Sequence, residues 1–414
     1  MEELFESVKN EIQDLFRSKK KLINLLILGI LILSLPIGLG ALRYQQIIKS
    51  RALADPIVFT GDNVEQRDGK WFALKPQISL NITSPLDPPG SPVPSGTPRP
   101  SGTPAPSGTP NPSSPPSFNV SVDVTGITHY GYNDLLPYAP DSHVTSDLSE
   151  IQRMGGRVIR VFVANKRISD DEAARRLDVF LTRAASYNIS VIASFIDFYD
   201  SGYGPQGVSY NRCDFSPCLL GEDFFKGGFR TRYKSFVGTV VNRNKNHANI
   251  YAWEIGNELK YEYDNTLFIS FMNEMSSFIK GLDPSHSITP GMMFAAHTGL
   301  PPSDFYPKLS NFDIISIHTY SGGHQGTDDA VWARSNGKKI VVGEIGFGRT
   351  DDRSGDMRNE LNYWKDQGAQ VVLQWGFLAK GLSDNGNGDR IYGMDTIWHT
   401  DYDKLAALFS LFNQ

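Results

Sequence analysis

Residues 250–258, IYAWEIGNE, decide the fold, because a short apolar run ends there in Asn257 and Glu258. The run has the length and character of a buried strand in a parallel sheet. A second apolar run, residues 340–344 (IVVGE), ends in Glu344. The two runs therefore predict two parallel strands that each carry a glutamate at the carboxyl end, which is where the sites of (β/α)8 barrels lie.

Apolar runs of this kind recur over residues 118–414, with helical periodicity between most of them. They lie near residues 119–128, 157–163, 189–196, 249–255, 286–293, 312–318, 339–344 and 370–376. Strands that alternate with helices over this length predict an α/β fold, a (β/α)8 TIM barrel, rather than an open doubly wound sheet. No G-x-G-x-x-G motif follows the first run, which argues against a dinucleotide-binding fold.

Two segments between the runs show the apolar spacing of amphipathic helices. Residues 171–185 and 267–279 each place apolar side chains on one helical face. Thr145-Ser146-Asp147 and Ser169-Asp170 are typical helix N-caps, so helices are predicted to begin at these two places.

The N-terminal segment predicts a membrane anchor. Residues 22–42, LINLLILGILILSLPIGLGAL, contain no charged residue, and about 20 apolar residues are enough to cross a bilayer. Basic residues are denser before this run than after it, so residues 1–21 are predicted to be cytoplasmic and the rest extracytoplasmic. A cleaved signal peptide is the alternative, with residues 52–54 (ALA) as an A-x-A-like site.

Two further segments separate the predicted anchor from the barrel. Residues 55–83 contain short β-like pieces, among them 57–59 and 71–74, and Asp68-Gly69 between these two is a hairpin signal. Residues 84–117 are mostly Pro, Ser, Gly and Thr and repeat the unit PSGTPx. Such a composition cannot bury a core, so this segment is predicted to be a disordered spacer.

Net charge and cysteine content bear on whether the chain binds nucleic acid, forms a disulfide or holds a metal ion. The net charge of −5 predicts no nucleic-acid partner. Cys213 and Cys218 predict a disulfide in an extracytoplasmic chain, with two free thiols as the alternative. No His or Cys pair at ligand spacing accompanies them, and the oxygen-rich loop 383–389 lacks the EF-hand pattern, so no metal or cofactor is predicted. That loop is expected beside the site.

Polar and aromatic side chains occupy the other predicted strand ends. Besides the two glutamates, the site candidates are Arg160 on strand 2, Asn257 on strand 4, His318 and Tyr320 on strand 6, Trp375 on strand 8, and His129 after strand 1. Because the carboxyl ends of the strands meet at one end of a barrel, we expect these side chains to converge. A structural role in the core or in a loop is the alternative for each of them.

Four motifs make the chain similar to a known family. They are WEIGNE (253–258), HTY (318–320), VVGEIGFG (341–348) and QWGF (374–377). Each motif alone is weak, but their order and spacing resemble those of the clan A retaining glycoside hydrolases, especially family 5 with its β-mannanases and cellulases. The resemblance covers roughly residues 120–414. It implies that Glu258 is the general acid/base and that Glu344 is the nucleophile.

The chemistry of glycoside cleavage fits these two roles. One carboxyl protonates the leaving oxygen while a carboxylate attacks the anomeric carbon, and in retaining enzymes the two lie about 5–5.5 Å apart. Because two such carboxylates repel each other, one pKa rises. We expect Glu258 to hold the proton. Arg160 and Tyr320 are expected to keep Glu344 ionised.

Three further residues are expected to contact or orient the sugar. The resemblance implies that Asn257 donates to the sugar 2-hydroxyl, that His318 orients the site or binds a hydroxyl, and that Trp375 forms a stacking floor. The chain departs from the family pattern at Leu259, where many relatives have proline. It also departs at Asp197, because family 5 cellulases often carry a histidine at the end of strand 3.

Taken together, the sequence predicts a membrane-anchored extracytoplasmic enzyme that cleaves a β-linked polysaccharide with retention of configuration. Residues 253–254 (WE) are similar to those of mannanase relatives, so an endo-β-1,4-mannanase-like activity is expected. A β-1,4-glucanase and an exo-β-glycosidase are the alternatives within this class. A non-catalytic carbohydrate-binding surface protein on the same barrel is the alternative from another class.

Overall fold

The computed structural model describes residues 64–67, 70–73, 118–124, 141–214, 216–348, 350, 352–382 and 389–414. The chain divides into two compact units, residues 1–103 and 104–414. In the first unit, Val64–Arg67 pairs antiparallel with Lys70–Ala73. A hairpin is therefore present around residues 68–69, but the strand paired with Lys70–Ala73 is Val64–Arg67 rather than the predicted piece 57–59.

Several predictions concern residues outside the described part of the chain. These are the cytoplasmic segment 1–21, the anchor at 22–42, the strand at 57–59, the spacer at 84–117, residues 383–388 of the oxygen-rich loop and the site candidate His129. Within the described ranges, no helix combines the length and the apolar character needed to span a bilayer. The anchor and its orientation therefore stay predictions.

Parallel strands form the sheet of the second unit. In chain order they are β1 (Asn119–Asp123), β2 (Val158–Phe162), β3 (Ser190–Ser194), β4 (Ile250–Glu254), β5 (Ser287–Thr289), β6 (Ile314–Tyr320), β7 (Lys339–Gly346) and β8 (Val371–Trp375). Each strand lies within or overlaps a run predicted from the sequence. The runs are apolar on both faces because helices cover one face of the sheet and the barrel interior takes the other.

The sheet closes on itself to form a barrel. Its parallel ladders lead from β5 through β4, β3, β2, β1, β8 and β7 to β6. The segments of β5 and β6 then meet through two backbone hydrogen bonds, Asp313 N to Ile288 O (3.1 Å) and His318 N to Met293 O (3.0 Å). The prediction of a (β/α)8 barrel is confirmed.

Helices alternate with the strands along the chain. In the described ranges they include α1 (Asp141–Arg153), α2 (Asp170–Ser186), α3 (Glu222–Lys226), α4 (Tyr233–Asn244), α5 (Asn265–Leu282), α6 (Pro302–Phe305), α7 (Thr327–Ser335), α8 (Arg353–Asp366) and α9 (Tyr402–Phe412). Ser169 is the N-cap of α2, as predicted, because its hydroxyl accepts a hydrogen bond from Glu172 N (3.2 Å).

The other predicted N-cap, residues 145–147, is wrong, because α1 begins at Asp141 and contains this segment. Asp147 is buried and accepts a hydrogen bond from Ala379 N (2.7 Å), in the segment after β8. Its short acidic side chain is used for a tertiary contact rather than for a helix end.

The barrel interior has an apolar layer beneath a polar one. Seven side chains form a separate buried apolar cluster, namely Val158, Ile192, Ala252, Ile314, Val341, Val371 and Leu373. Residues two apart on a strand share a face, so Arg160 and Glu254 follow Val158 and Ala252 on the inner face. The charged residues therefore lie on an apolar floor, where their interactions are stronger than in water.

Candidate active site

A single buried guanidinium, that of Arg160 on β2, lies in the polar layer. Its Nη1 is 2.8 Å from both Asp123 Oδ2 and Glu344 Oε1, and its Nη2 is 2.6 Å from Glu254 Oε1. All four side chains are 0–2% exposed. Burial opposes the charge of Arg160, but the surrounding carboxylates raise its pKa well above the ordinary value. One charge network thus connects β1, β2, β4 and β7.

The amide of Asn257 is held from two sides. Arg160 Nη2 donates to its Oδ1 (2.6 Å), and its own Nδ2 donates to Asp197 Oδ1 (2.9 Å). A guanidinium can only donate and a carboxylate can only accept. The orientation of the amide is therefore determined by its two charged neighbours.

Glu258 has an unusual backbone conformation. Its φ of +52° lies in the left-handed region, which costs a non-glycine residue about 1–2 kcal/mol. Its N–H donates to Gly291 O (2.7 Å). Position 291 requires glycine, because a Cβ there would lie 1.9 Å from Gly256 O. The close approach of the backbones that follow β4 and β5 therefore directs the Glu258 side chain.

Glu258 and Glu344 face each other beside His318. One carboxylate oxygen from each glutamate and one ring nitrogen of His318 lie within 4.8 Å of one another. His318 Nδ1 is 3.0 Å from Glu258 Oε1 and 3.4 Å from Glu344 Oε1. The Tyr320 hydroxyl donates to Glu344 Oε2. The distance between the Glu258 and Glu344 oxygens, at most 4.8 Å, is close to the roughly 5–5.5 Å carboxyl spacing of retaining glycosidases. It is well below the roughly 6.5–9.5 Å of inverting ones.

The two carboxyls differ in what surrounds them. Burial and the charge of Glu258 raise the pKa of Glu344 well above its ordinary value. Arg160 and Tyr320 oppose this rise. Burial also acts to raise the pKa of Glu258, but the hydrogen bond and charge of His318 lower it overall.

These pKa directions are opposite to the expectation from the sequence, in which Glu258 holds the proton. The reason is that His318 lies nearer to Glu258 than to Glu344, and sequence spacing does not reveal that difference.

Trp375 lies at the end of β8 and is partly exposed. Its Nε1 donates to Asp389 Oδ2 (2.6 Å), and the ring of Tyr320 meets it edge-on with the centroids 6.4 Å apart. These contacts hold the indole ring in place beside Tyr320, whose hydroxyl donates to Glu344. The arrangement suits stacking against the apolar face of a sugar ring.

The segment that follows β3 reaches Glu258. The Tyr199 hydroxyl forms a hydrogen bond with Glu258, and burial together with the charge of that carboxylate raises the pKa of Tyr199. Cys213 and Cys218 form a disulfide, and Cys218 O accepts a hydrogen bond from Asp200 N (2.7 Å). The disulfide-closed loop therefore supports the segment that carries Tyr199.

Most of the site candidates converge in the structure. The residues that lie around Glu258 and Glu344 are Arg160, Asn257, His318, Tyr320 and Trp375. Two contacting residues, Asp197 and Tyr199, were not among the predicted site residues. They lie shortly after β3, which ends at Ser194, so the rule that sites lie at strand ends could have found them. Asp389, the last residue of the loop 383–389 that is expected beside the site, contacts Trp375.

Glu258, His318 and Glu344 also have the spacing of a metal site, the one such group in the part of the chain that the structure describes. The guanidinium of Arg160 lies 2.8 Å from Glu344 and repels a further positive charge. The arrangement is better suited to proton transfer and nucleophilic attack than to holding a divalent cation.

Residues 121–380 match the family model described as cellulase, glycosyl hydrolase family 5. The chain belongs to glycosyl hydrolase family 5. The resemblance inferred from the four motifs is confirmed, and with it the prediction of a glycoside hydrolase.

Curated proteins that are similar to this family 5 chain include mannan endo-1,4-β-mannosidases. Enzyme A of Podospora anserina is 25% identical over 248 residues, which cover 53% of this chain and 64% of the relative. Enzyme F of Aspergillus clavatus is 27% identical over 251 residues, which cover 53% of this chain and 56% of that relative. Enzyme 5 of Solanum lycopersicum is 32% identical over 181 residues, which cover 37% and 43%. The chain thus spans at most 64% of the length of these relatives.

Solved structures of mannanases share the fold. The endo-β-1,4-mannanase of Thermotoga petrophila has a TM-score of 0.55 at 20% identity, with 72% of this chain and 77% of that chain covered. The endo-1,4-β-mannanase of Rhizomucor miehei has a TM-score of 0.55 at 17% identity, with 72% and 94% covered. At these identities the likeness shows the barrel fold alone.

Replacing Arg160 should move the acid limb of the pH–rate profile. Its charge lowers the pKa of Glu344, so Arg160→Met raises that pKa, and ionised Glu344 forms only at higher pH. We expect kcat/KM to fall by about 100-fold or more and the acid limb to move upward. Arg160→Lys keeps the charge and should shift the limb less. Arg232→Met, which removes an ion pair with Asp170, is the control. An unmoved limb in Arg160→Met would contradict the role of Arg160.

Proposed function

We propose that this family 5 chain hydrolyses β-1,4-linked mannan with retention of configuration and cleaves within the polysaccharide. The observation that carries the proposal is the short separation of Glu258 and Glu344, since one carboxylate oxygen of each lies within 4.8 Å of the other. Support for mannan comes from the relatives named mannan endo-1,4-β-mannosidase, which are 25–32% identical over the matched residues.

Glu344 is the proposed nucleophile of the first step. One of its carboxylate oxygens bonds to the anomeric carbon while the bond to the leaving oxygen breaks, and Glu258 transfers a proton to that oxygen. Arg160 and Tyr320 each donate to Glu344, which favours its ionised form and fixes its direction.

The substrate itself helps to move the shared proton. A glycosidic oxygen that accepts a hydrogen bond from Glu258 stabilises the protonated form of that carboxyl and raises its pKa. Positive charge that develops at the anomeric carbon stabilises ionised Glu344 in the same way. The bound sugar thus favours the proton on Glu258, against the directions that His318 imposes on the protein alone.

Water completes the reaction in the second step. Glu258, now ionised, takes a proton from water, the water oxygen bonds to the anomeric carbon, and the ester bond to Glu344 breaks. His318 Nδ1, 3.0 Å from Glu258 Oε1, stabilises the ionised form that this step requires. Two inversions at one carbon return the original configuration.

A β-1,4-glucanase or an exo-β-glycosidase could use the same two glutamates, and the matching family model carries the description cellulase. A non-catalytic carbohydrate-binding protein is the alternative from another class. The contacts of Glu344 with Arg160 and Tyr320 support catalysis, because a binding protein has no need of a buried, oriented carboxylate pair.

A panel of polysaccharides tests the reaction and its substrate. The full chain should release oligosaccharides from β-1,4-mannan and glucomannan faster than from a soluble cellulose derivative, xylan or β-1,3-glucan. Glu344→Gln keeps the size of the side chain but removes its charge, so product release should fall by about 10⁴-fold or more while binding to mannan is retained. Product release only from the cellulose derivative would replace mannan by β-1,4-glucan. Binding without product release in the unsubstituted chain would favour the binding-protein alternative.

Azide should distinguish the roles of the two glutamates. With an aryl β-glycoside whose leaving group needs no proton, Glu258→Ala should still form the ester to Glu344 and then release it slowly. Azide fits the vacated space, attacks the anomeric carbon of this ester and gives the β-glycosyl azide. In Glu344→Ala, azide attacks the substrate directly from the opposite face and gives the α-glycosyl azide. The reverse pairing of products, read by NMR, would exchange the two assignments.

We also propose that residues 22–42 tether the barrel outside the cytoplasm and that residues 84–117 hold it away from the membrane. The disulfide between Cys213 and Cys218 supports this location, because such bonds persist mainly in oxidising compartments. Protease added to intact cells that express the full chain should release a soluble, active fragment, since an extended spacer is readily cut. Protection of the barrel until the cells are lysed would show that it lies inside.

A further inference from the structure

We propose that Asp197 is a positioning residue, which holds the amide of Asn257 in the direction that the sugar 2-hydroxyl requires; this role rests on the proposed retaining hydrolysis. Asp197 follows β3 and is 4% exposed. Its Oδ1 accepts from Asn257 Nδ2 (2.9 Å), and its Oδ2 accepts from the Ser201 hydroxyl. It touches neither Glu258 nor Glu344 by a hydrogen bond among those that the described residues form.

The two charged neighbours of Asn257 select the same amide orientation. Arg160 Nη2 donates to Asn257 Oδ1 (2.6 Å), so the guanidinium requires an oxygen at that position. The carboxylate of Asp197 can only accept, so it requires the NH₂ group of Asn257 on its side of the amide. A flipped Asn257 amide would place its NH₂ against the N–H donors of Arg160. It would also place its oxygen against the carboxylate oxygen of Asp197. Asp197 takes one hydrogen of Nδ2, which fixes the direction of the second.

Backbone contacts keep Asp197 in register with Asn257. Asn257 N donates to Ile196 O (2.7 Å), and Phe198 N donates to Asn257 O (3.0 Å). Asp197 N donates to Tyr203 O (2.8 Å). The carboxylate and the amide therefore lie on backbones that are themselves hydrogen-bonded, so the contact between the two side chains is geometrically well defined.

The chemistry of the contact suggests a matched pair of variants. Asp197 receives hydrogen bonds from neutral groups, and burial raises its pKa to about 6. Asp197→Asn reproduces the neutral form: its oxygen can still accept from Asn257, and its NH₂ can donate to Ser201. Asp197→Ala removes the acceptor altogether. The first variant therefore tests charge and the second tests the hydrogen bond.

The test is a double-mutant cycle in the full chain, with kcat and KM measured on a polysaccharide that the unsubstituted chain cleaves. Asp197→Ala should lower kcat/KM by about 10- to 100-fold. The loss should lie mainly in kcat, because hydrogen bonds to the 2-hydroxyl strengthen in the transition state. Asp197→Asn should lose less than about threefold. In the Asn257→Ala background, Asp197→Ala should cost little more, since the group through which it acts is gone.

The control is Asp283→Ala. Asp283 is 2% exposed and accepts hydrogen bonds from Trp253 Nε1 (2.8 Å) and from Ser285, in the segment between α5 and β5. Its loss should lower the melting temperature without changing kcat/KM of the folded protein. Equal losses from Asp197→Ala in the presence and absence of the Asn257 amide would overturn the proposal, as would an unchanged kcat/KM. If Asp197→Ala does not fold, Asp197→Leu, which also lacks an acceptor, replaces it.

A structural measurement separates this proposal from the proposed function. In crystals, the Asn257 side chain should keep its position and low mobility in Asp197→Asn. In Asp197→Ala, where Arg160 is its remaining charged neighbour, the side chain should be displaced or have raised displacement parameters. An Asn257 side chain that is neither displaced nor more mobile in Asp197→Ala would overturn the positioning role even in an active enzyme. If the unsubstituted chain cleaves no glycan of the panel, the proposed function fails, while the Asn257 orientation still decides the role of Asp197.

Discussion

The buried guanidinium of Arg160 is the group on which the rest of the structure depends. It lies in the barrel interior, above an apolar floor, and carboxylates from three other strands surround it. Breaking such a buried pair costs about 3–5 kcal/mol, because a charge is left without a partner. The same cation orients the amide of Asn257 and one oxygen of Glu344. Arg160 therefore contributes both to the stability of the barrel and to the geometry of the site.

The surroundings of the two glutamates shift their pKa values in opposite directions. Burial and mutual repulsion raise the pKa of Glu344, whereas His318 lowers that of Glu258. Under the proposed mechanism, a sugar that accepts a hydrogen bond from Glu258 favours the proton on that carboxyl.

The sequence predicted best those features that depend on local pattern and on the order of the strands along the chain. The strands were predictable because each is a short run that is apolar on both faces, and the strand-end rule then brought Glu258, Glu344 and Arg160 together. The loop 383–389 was expected beside the site, but the specific contact of Asp389 with Trp375 was not predictable, because a hydrogen bond between side chains of different segments leaves no local pattern. The start of α1 was misplaced because Asp147, a typical capping residue, bonds to a distant segment instead. Side-chain roles set by tertiary contacts leave no local pattern.

The left-handed backbone of Glu258 has opposite consequences for stability and for the proposed activity: the conformation is strained for glutamate, yet the proposed role needs its carboxyl group. Glycine and asparagine adopt that conformation at little cost, whereas glutamate is held in it by the surrounding chain. An exchange to either residue would relieve strain while removing the carboxyl group. Under the proposed acid/base role, a more heat-resistant variant made at this position would therefore be expected to lose turnover.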